Sequence, residues 1–196
     1  MLPLEIWYAM FCVVAVIAII YTIYKVIWYT VKMHSLYRKI KKLENNFMQV
    51  KFLRPFYQIV FGAKGNPDFI IRKKGVDYEV AVISSISTHS RWNFEKDCED
   101  FFLEVRKYNN AFYNLYKNSA NVPEHAKMYK RETRFSTQYL ELSEPSDKYA
   151  KQIILLYPRP KLITYAHSKL DYLKPGDKIL DHEIMYIEDL WEMLQT

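Results

Sequence analysis

The chain is poor in cysteine and glycine, and this scarcity excludes several common classes of protein. It has 196 residues, of which 2 are Cys and 4 are Gly. Two cysteines are too few for a disulfide-dense secreted scaffold. The spacing Gly62-x-x-Gly65 lacks the Lys-Ser/Thr that follows in a phosphate-binding loop. Because half of the residues are hydrophobic and 16% are aromatic, the chain is not intrinsically disordered.

Charge is absent from a long segment near the N-terminus. Residues 6–24 are 19 consecutive residues without a charged side chain. As a helix they extend about 28 Å, which matches the roughly 30 Å hydrocarbon core of a bilayer. Aromatic residues lie at both ends of the segment, as is typical of membrane interfaces. We therefore predict a transmembrane helix over 6–24, preceded by a short extracytoplasmic tail, 1–5.

Two alternatives to an uncleaved span are a buried core helix and a cleaved signal peptide. A core helix of this length usually has a polar face. A signal peptide needs a basic leader and a small-residue cleavage site, and neither is present: the leader contains Glu5, and Lys25 follows the apolar run. Both observations favour a signal anchor that stays in the membrane.

Basic residues are concentrated after the predicted span, whereas Glu5 is the one charged side chain before it. Because basic flanks stay in the cytosol, we predict that the N-terminus is outside the cell and the C-terminal part is cytoplasmic. The lipid bilayer is thus the first predicted partner. The predicted membrane-interface residues are Trp7, Tyr8, Tyr24, Lys25, Trp28, Lys32, Arg38, Lys39, Lys41 and Lys42.

Residues 25–54 form a basic juxtamembrane segment. Apolar residues recur at nearly helical spacing between the basic ones, which predicts an amphipathic helix. Its basic face either contacts anionic lipid headgroups or only keeps a linker helix soluble. The segment holds 8 of the 28 basic residues and 1 of the 22 acidic residues, so its net charge is +7 and that of the remaining chain is −1. Nucleic acid is therefore not favoured as a partner. The apolar positions are Ile27, Val31, Leu36, Ile40 and Leu43.

The remaining residues, 55–196, predict a cytosolic α+β domain with a mixed or antiparallel sheet and few helices. Apolar and alternating runs bounded by Pro and Gly predict the strands. Residues 174–177 predict a turn, and 118–146 predict an exposed connection. Residues 98–116 fit a helix or a strand followed by a loop, and the spacing of Phe101, Phe102 and Val105 favours the helix. The predicted strands are 68–72, 78–83, 91–94, 152–157, 161–165, 178–180 and 182–186, and the predicted helices are 98–116 and 187–194.

One pair of carboxylates has the arrangement of a metal-dependent nuclease. Pro67-Asp68 opens one predicted strand, and Glu79 lies in the next. This resembles the PD-(D/E)XK core of restriction-endonuclease-like proteins, and the resemblance implies Asp68 and Glu79 as candidate metal ligands. Ala81 stands where the family has its lysine, which argues against hydrolysis. In the alternative interpretation, Asp68 belongs to a turn and Glu79 faces solvent.

A second resemblance covers roughly residues 67–190. Pro67-Asp-Phe-Ile, Tyr78-x-Val, Ile153-Ile-Leu-Leu-x-Pro158-x-Pro160 and Gly176-Asp-Lys-Ile179 are similar to a group of uncharacterised small single-pass membrane proteins of Gram-positive bacteria. The resemblance implies the same architecture, an N-terminal span and a cytoplasmic α+β domain, and no activity.

No other residues form a catalytic, cofactor-binding or metal-binding pattern. The five histidines lack metal-ligand spacing with the two cysteines, and we interpret them as surface or partly buried residues. The sequence therefore predicts a membrane-anchored, non-catalytic binding or scaffolding module with a protein partner that it does not identify. The alternatives are a degenerate nuclease-like domain with a residual metal site, and an anionic-lipid binder that uses residues 25–54.

Overall fold

The computed structural model describes residues 4–42, 44, 48–85, 90–97, 100–108, 132–166 and 170–195. It divides the chain into two compact units, Met1–Lys42 and Leu43–Thr196. We call them unit 1 and unit 2. The architecture is α+β, with one long apolar N-terminal helix followed by mixed sheets.

Unit 1 consists of a single helix, α1 (Leu4–Lys41), which contains the predicted span and continues beyond it. The structure differs from the sequence prediction for the segment that follows. The helix predicted over 25–54 ends at Lys41, and a strand begins at Met48. Of the apolar stripe assigned to that helix, Ile27 and Val31 are 58% and 63% exposed, whereas Leu36 and Ile40 are 2% and 1% exposed. Leu43 lies outside the described residues.

The first described element of unit 2 is a strand. Burial alternates along it with a period of two: Met48 and Val50 are buried, and Gln49 is exposed. The described elements of unit 2 are β1 (Met48–Phe52), α2 (Phe56–Phe61), β2 (Pro67–Lys73), β3 (Val76–Ser84), β4 (Ser90–Asp97), β5 (Asp100–Tyr108), β6 (Glu132–Leu140), β7 (Lys151–Tyr157), β8 (Leu162–Ala166), β9 (Leu170–Leu173), β10 (Lys178–Ile179), β11 (His182–Met185) and α3 (Ile187–Gln195).

The strands form two mixed sheets. The six-stranded sheet has the order β1-β2-β3-β7-β11-β10, and the five-stranded sheet has the order β6-β5-β4-β8-β9. β7 is parallel to both β3 and β11, and β4 is parallel to β8, whereas the other pairs are antiparallel. Consecutive strands β3 and β4 lie in different sheets, as do β7 and β8. The chain thus passes from the first sheet to the second twice, and the strands before the two crossings (β3 and β7) are a parallel pair, as are the strands after them (β4 and β8).

The hydrophobic core is built from both sheets. Strand β7 is buried along its length from Gln152 to Leu156, as expected for a central strand covered on both faces. Trp92 and Phe94 on β4 are completely buried and belong to the same cluster. The cluster comprises Ile83, Trp92, Phe94, Phe101, Leu103, Val105, Leu140, Ile154, Leu156, Ile163, Ile179, Ile184 and Tyr186.

The structure confirms most of the predicted elements of unit 2. The strand predicted over 152–157 is β7, and the helix predicted over 187–194 is α3. The predicted turn is also present, since the backbone N–H of Asp177 donates to the carbonyl of Lys174 at 3.0 Å and Gly176 has φ of 93°.

Two predictions for unit 2 are wrong. The helix predicted over 98–116 is strand β5 in its described part, because Phe101, Leu103 and Val105 alternate toward the core with a period of two. The connection predicted over 118–146 contains strand β6 in its described part. The sequence analysis also missed β1, α2 and β9.

Candidate functional site

Asp68 lies at an irregularity in the pairing of β2 with β3, which turns its carboxylate toward the backbone of β3. It is completely buried. One carboxylate oxygen accepts a hydrogen bond from the backbone N–H of Val82 at 2.6 Å, and the other forms an ion pair with Arg54. Arg54 also donates to the carbonyls of Ala63 and Asn66 at 3.0 and 3.2 Å. Asp68 therefore anchors the chain around α2 to the sheet.

Burial dominates the electrostatics of this ion pair. It raises the pKa of Asp68 to about 6, although the Val82 amide and Arg54 lower it. The neighbouring Lys64 is also largely buried, and burial lowers its pKa to about 8. Lys64 donates to the last carbonyls of α2, those of Ile59 and Val60, at 3.0 and 2.9 Å. These bonds satisfy carbonyl groups at the C-terminal end of α2, where a cation is favourable.

Glu79 belongs to a different polar cluster. It is 5% exposed on β3, so the alternative interpretation that placed it in solvent is wrong. Its Oε1 accepts a hydrogen bond from the Ser143 hydroxyl and a second from the amide of Gln152, its register partner on β7, at 3.2 Å. Ser143 Oγ lies 3.2 Å from His182 Nε2 on β11. We call Glu79, Ser143, Gln152 and His182 the polar cluster.

The hydrogen-bond inventory assigns the protons of the polar cluster. His182 Nδ1 lies 2.8 Å from the carbonyl oxygen of Leu180, which can only accept, so Nδ1 carries a proton. The single hydroxyl hydrogen of Ser143 is donated to Glu79. The Ser143 hydroxyl group therefore lies between Glu79 on β3 and His182 on β11.

The contacts of Ser143 argue against a nucleophile. Its oxygen also lies 3.1 Å from the amide nitrogen of Gln152, so the hydroxyl group contacts three members of the cluster, Glu79, Gln152 and His182. A catalytic serine instead donates to its histidine and directs its oxygen at a substrate. Gln152 further bonds the carbonyl of Glu144 and the N–H of Ser146, each at 2.9 Å. The cluster thus fastens residues 143–146 to the sheet.

A cleft of about 520 Å³ lies beside the polar cluster and shares Gln152 with it. Its size is in the range of small-molecule sites, but its walls are polar and charged. Lys151 on β7 and Glu183 on the neighbouring strand β11 form an ion pair at 2.8 Å. The lining residues are Pro145, Ser146, Asp147, Tyr149, Ala150, Lys151, Gln152, Lys178, Asp181 and Glu183.

The structure places the two candidate metal ligands on neighbouring strands but gives them separate partners. Asp68 contacts Arg54 and Val82, whereas Glu79 contacts Ser143 and Gln152. Within the described ranges, no group of three or more His, Cys, Asp and Glu side chains could hold a metal ion. Ala81, which replaces the family's lysine, is buried in β3. The metal site therefore gains no support from the geometry.

Sequence reasoning missed most of the polar cluster. His182, interpreted as a surface or partly buried residue, is completely buried. One signal was available, since Gln152 is the polar residue at the start of an otherwise apolar strand. A polar side chain at such a position needs a buried partner. Its partner Ser143 could not be identified from the sequence, because residues 141–150 have no periodic pattern.

The predicted membrane-interface residues lie along α1. Trp7, Tyr8 and Tyr24 are between 58% and 73% exposed. Lys32 Nζ lies 3.7 Å from the centre of the Trp28 ring, and Lys25 Nζ lies 5.2 Å from that of Tyr21. These cation–π contacts place charge beside the aromatic rings, the arrangement expected where a helix leaves a bilayer. The basic residues Arg38, Lys39 and Lys41 lie in the last turn of α1, and Lys42 follows it.

No protein-family model, curated protein or solved structure matches the chain.

Proposed function

We propose that the protein is a single-pass membrane protein whose unit 2 acts as a non-catalytic binding or scaffolding module on the cytoplasmic side. One observation carries the membrane part of the proposal. All 14 large apolar side chains of residues 6–24 are between 41% and 73% exposed. The segment has no polar face, and among the described residues α1 is the one helix long and apolar enough to cross a membrane.

The magnitude of this exposure supports lipid as the surrounding medium. Moving a large apolar side chain from water into an apolar medium is worth about 1.5–3 kcal/mol, so transfer of 14 such side chains into a bilayer gains at most on the order of 20–40 kcal/mol. The run is also longer than the 7–15 apolar residues of a typical signal peptide, which favours an uncleaved anchor.

The polar cluster supports the non-catalytic part of the proposal. Its hydrogen bonds join Glu79, Ser143 and Gln152 to one another and to Glu144 and Ser146, which is a structural role. The membrane anchor then sets the mechanism, because a module held at a bilayer meets membrane-associated partners at a raised effective concentration.

The topology is tested with two single-cysteine variants of the full chain. Both carry Cys12→Ser and Cys98→Ser, and the reporter is Leu2→Cys in one and Gln195→Cys in the other. A membrane-impermeant maleimide added to intact cells should label the Leu2→Cys variant, and the Gln195→Cys variant only after permeabilisation. Labelling in the opposite order would contradict the proposed orientation. An intact mass that lacks residues of α1 would show a cleaved signal peptide instead.

The role of the basic flank is tested by neutralising it. Replacing Lys25, Lys32, Arg38, Lys39, Lys41 and Lys42 with Gln should give a mixture of orientations, because basic loops set topology. A matched control replaces exposed lysines of unit 2 such as Lys74 and Lys174 and should leave the orientation unchanged. Unchanged labelling of the flank variant would show that these charges do not set the topology.

The non-catalytic reading is tested against the metal alternative by calorimetry. Mn²⁺ is titrated into the full chain in detergent micelles, with Asp68→Ala as the comparison. No heat, or the same heat from both proteins, is expected. Heat that Asp68→Ala abolishes would overturn the proposal in favour of a metal site.

A further inference from the structure

Three exposed apolar side chains lie close together in the sequence at the beginning of unit 2. Leu53, Tyr57 and Phe61 are 40%, 62% and 65% exposed. Tyr57 and Phe61 are four residues apart and therefore share one face of α2, whereas Leu53 precedes the helix and directly follows β1. We call these three residues the α2 ridge. The other face of α2 is buried through Ile59 and Val60.

The ridge is unusual within unit 2. The other exposed large apolar residues among the described part of this unit are Val76, Tyr139 and Leu180, which belong to separate elements. Single exposed apolar side chains are normal on protein surfaces. A cluster that includes two aromatic rings instead marks an interaction surface.

The charge around the ridge favours an acidic surface as its partner. Residues 45–67 contain no Asp or Glu, whereas Lys51, Arg54 and Lys64 are basic. Lys51 is exposed on β1, two residues before Leu53. Arg54 and Lys64 are engaged within unit 2, and Arg54 is neutralised by Asp68. The structure also brings the acidic side chain of Glu141 to this segment, where it accepts a hydrogen bond from the Asn66 amide at 2.6 Å. An exposed apolar ridge on a segment that is net basic in sequence is complementary to a bilayer with anionic headgroups.

Chain length brings this bilayer within reach. Leu53 follows Lys41, the last residue of α1, by 12 residues. α1 also continues for 17 residues beyond the predicted span 6–24, which is about 25 Å of helix. An extended chain spans at most about 3.5 Å per residue, so the chain allows the ridge any distance up to roughly 65 Å from the end of the span, including contact with the bilayer surface.

We propose that the α2 ridge inserts Leu53, Tyr57 and Phe61 into the interfacial layer of the bilayer that α1 spans. The proposal rests on the membrane anchoring proposed above. Tyr and Phe are suited to this depth because their rings are apolar and the Tyr hydroxyl group reaches water. Insertion of this kind is shallow, about 5–10 Å. The lipid would then hold unit 2 in one orientation at the membrane surface.

The test measures lipid contact at three positions of the full chain, reconstituted in vesicles that contain anionic phosphatidylserine. An environment-sensitive NBD fluorophore is attached to one cysteine in each protein, and quenching by doxyl-labelled lipids is measured. The anchoring control uses native Cys12 with Cys98→Ser. The ridge probe is Gln58→Cys, an exposed position between Tyr57 and Phe61, with both native cysteines replaced by Ser. The surface control is Val76→Cys in the same background. Val76 is on β3 and pairs with Lys73, at the end of β2 opposite to Pro67.

Quenching at Cys12 and Gln58→Cys but not at Val76→Cys is expected. Adding Tyr57→Ser and Phe61→Ser should abolish quenching at Gln58→Cys and leave the Cys12 signal unchanged. Circular dichroism of each variant checks that the fold is retained.

The other outcomes separate the two proposals. An unquenched Cys12 probe would refute the anchoring itself. Quenching at Cys12 without quenching at Gln58→Cys would overturn the ridge proposal and leave the anchor intact. A blue-shifted but unquenched Gln58→Cys probe would show that protein, not lipid, covers the ridge. Equal quenching at Val76→Cys would show that unit 2 adheres to lipid without using the ridge.

Discussion

The start of unit 2 is the most informative position to perturb. The sequence predicted a domain boundary at residue 55, whereas the structure divides the chain after Lys42. The difference consists of β1 and Arg54. β1 pairs with β2 from Met48↔Lys73 to Phe52↔Phe69, and the backbone N–H of Leu53 donates to the carbonyl of Asp68 at 2.9 Å. A soluble fragment 43–196 retains these contacts, and a fragment 55–196 loses them.

The structure sets the size of this loss. Met48 and Val50 are each 7% exposed, and their burial is worth about 3–6 kcal/mol together. Removing Arg54 leaves Asp68 buried without its ion-pair partner, which costs about 3–5 kcal/mol. The combined loss of roughly 6–11 kcal/mol is as large as the stability of a typical domain. We therefore expect fragment 43–196 to fold and fragment 55–196 to be unfolded or aggregated.

Urea unfolding followed by tryptophan fluorescence measures this difference, since Trp92 is completely buried in the core. Fragment 43–196 should show one cooperative transition, and fragment 55–196 should show none. Arg54→Met in the longer fragment isolates the ion pair and should shift the urea midpoint downward while the transition remains. A cooperative transition of fragment 55–196 with the same midpoint as that of fragment 43–196 would refute the reasoning, because β1 and Arg54 would then contribute nothing.

Further predictions concern the buried groups of unit 2. The pKa of Asp68, raised from 3.8 to about 6, means that its share of the stability is complete below pH 4 and is lost as the pH rises to about 6. This loss is on the order of 3 kcal/mol, so in urea titrations Asp68→Asn should flatten the pH dependence in this window. An unchanged slope would show that Asp68 is not its source. Ser143→Ala should destabilise fragment 43–196 by about 1–3 kcal/mol because Glu79 loses a buried donor. Glu183→Gln, which removes the partly exposed ion pair with Lys151, should lower the unfolding free energy by less than about 1 kcal/mol. If Ser143→Ala and Glu183→Gln had equal effects, the polar cluster would not be a special source of stability. Ile154→Ala, at a completely buried position of β7, should lower the unfolding free energy by about 2–5 kcal/mol; a smaller change in thermal or urea unfolding would argue against a packed core there.

The elements that the sequence predicted correctly are those whose signal is local. Residues 152–157 are an apolar run of strand length, and a run of this kind indicates a buried strand wherever it pairs. The closing helix has its apolar residues at Ile187, Leu190 and Leu194, which recur at helical spacing and are buried. The turn at 174–177 depends on Pro175 and Gly176, whose backbone preferences are intrinsic.

The elements that were predicted wrongly depend on competing or distant signals. In β5, Phe101, Phe102 and Val105 fit a helix, whereas Phe101, Leu103 and Val105 fit a strand. Pairing with β4 and β6 decided between the two. β1 is short, and its two buried residues become apolar contacts only when β2 is beside it. A strand of five residues carries too little periodicity to be distinguished from the end of a basic helix.

The candidate site follows the same division. The spacing of Glu79 from Asp68 suggested a pair of metal ligands, but the sequence did not show that Ser143 and Gln152 contact Glu79. These residues are separated by 64 and 73 positions from Glu79. Their proximity arises from the parallel pairing of β3 with β7, which no local pattern specifies.

The sequence by itself determined the apolar N-terminal helix, the net charge of +7 beside it and the α+β character of the rest. Each of these is a sum over neighbouring residues, so it can be read along the chain. Only the tertiary structure decided where unit 2 begins, which residues surround Asp68 and Glu79, and that Tyr57 and Phe61 stay exposed. These properties depend on which surfaces the folded chain covers, and coverage is decided by strands that lie far apart in the sequence.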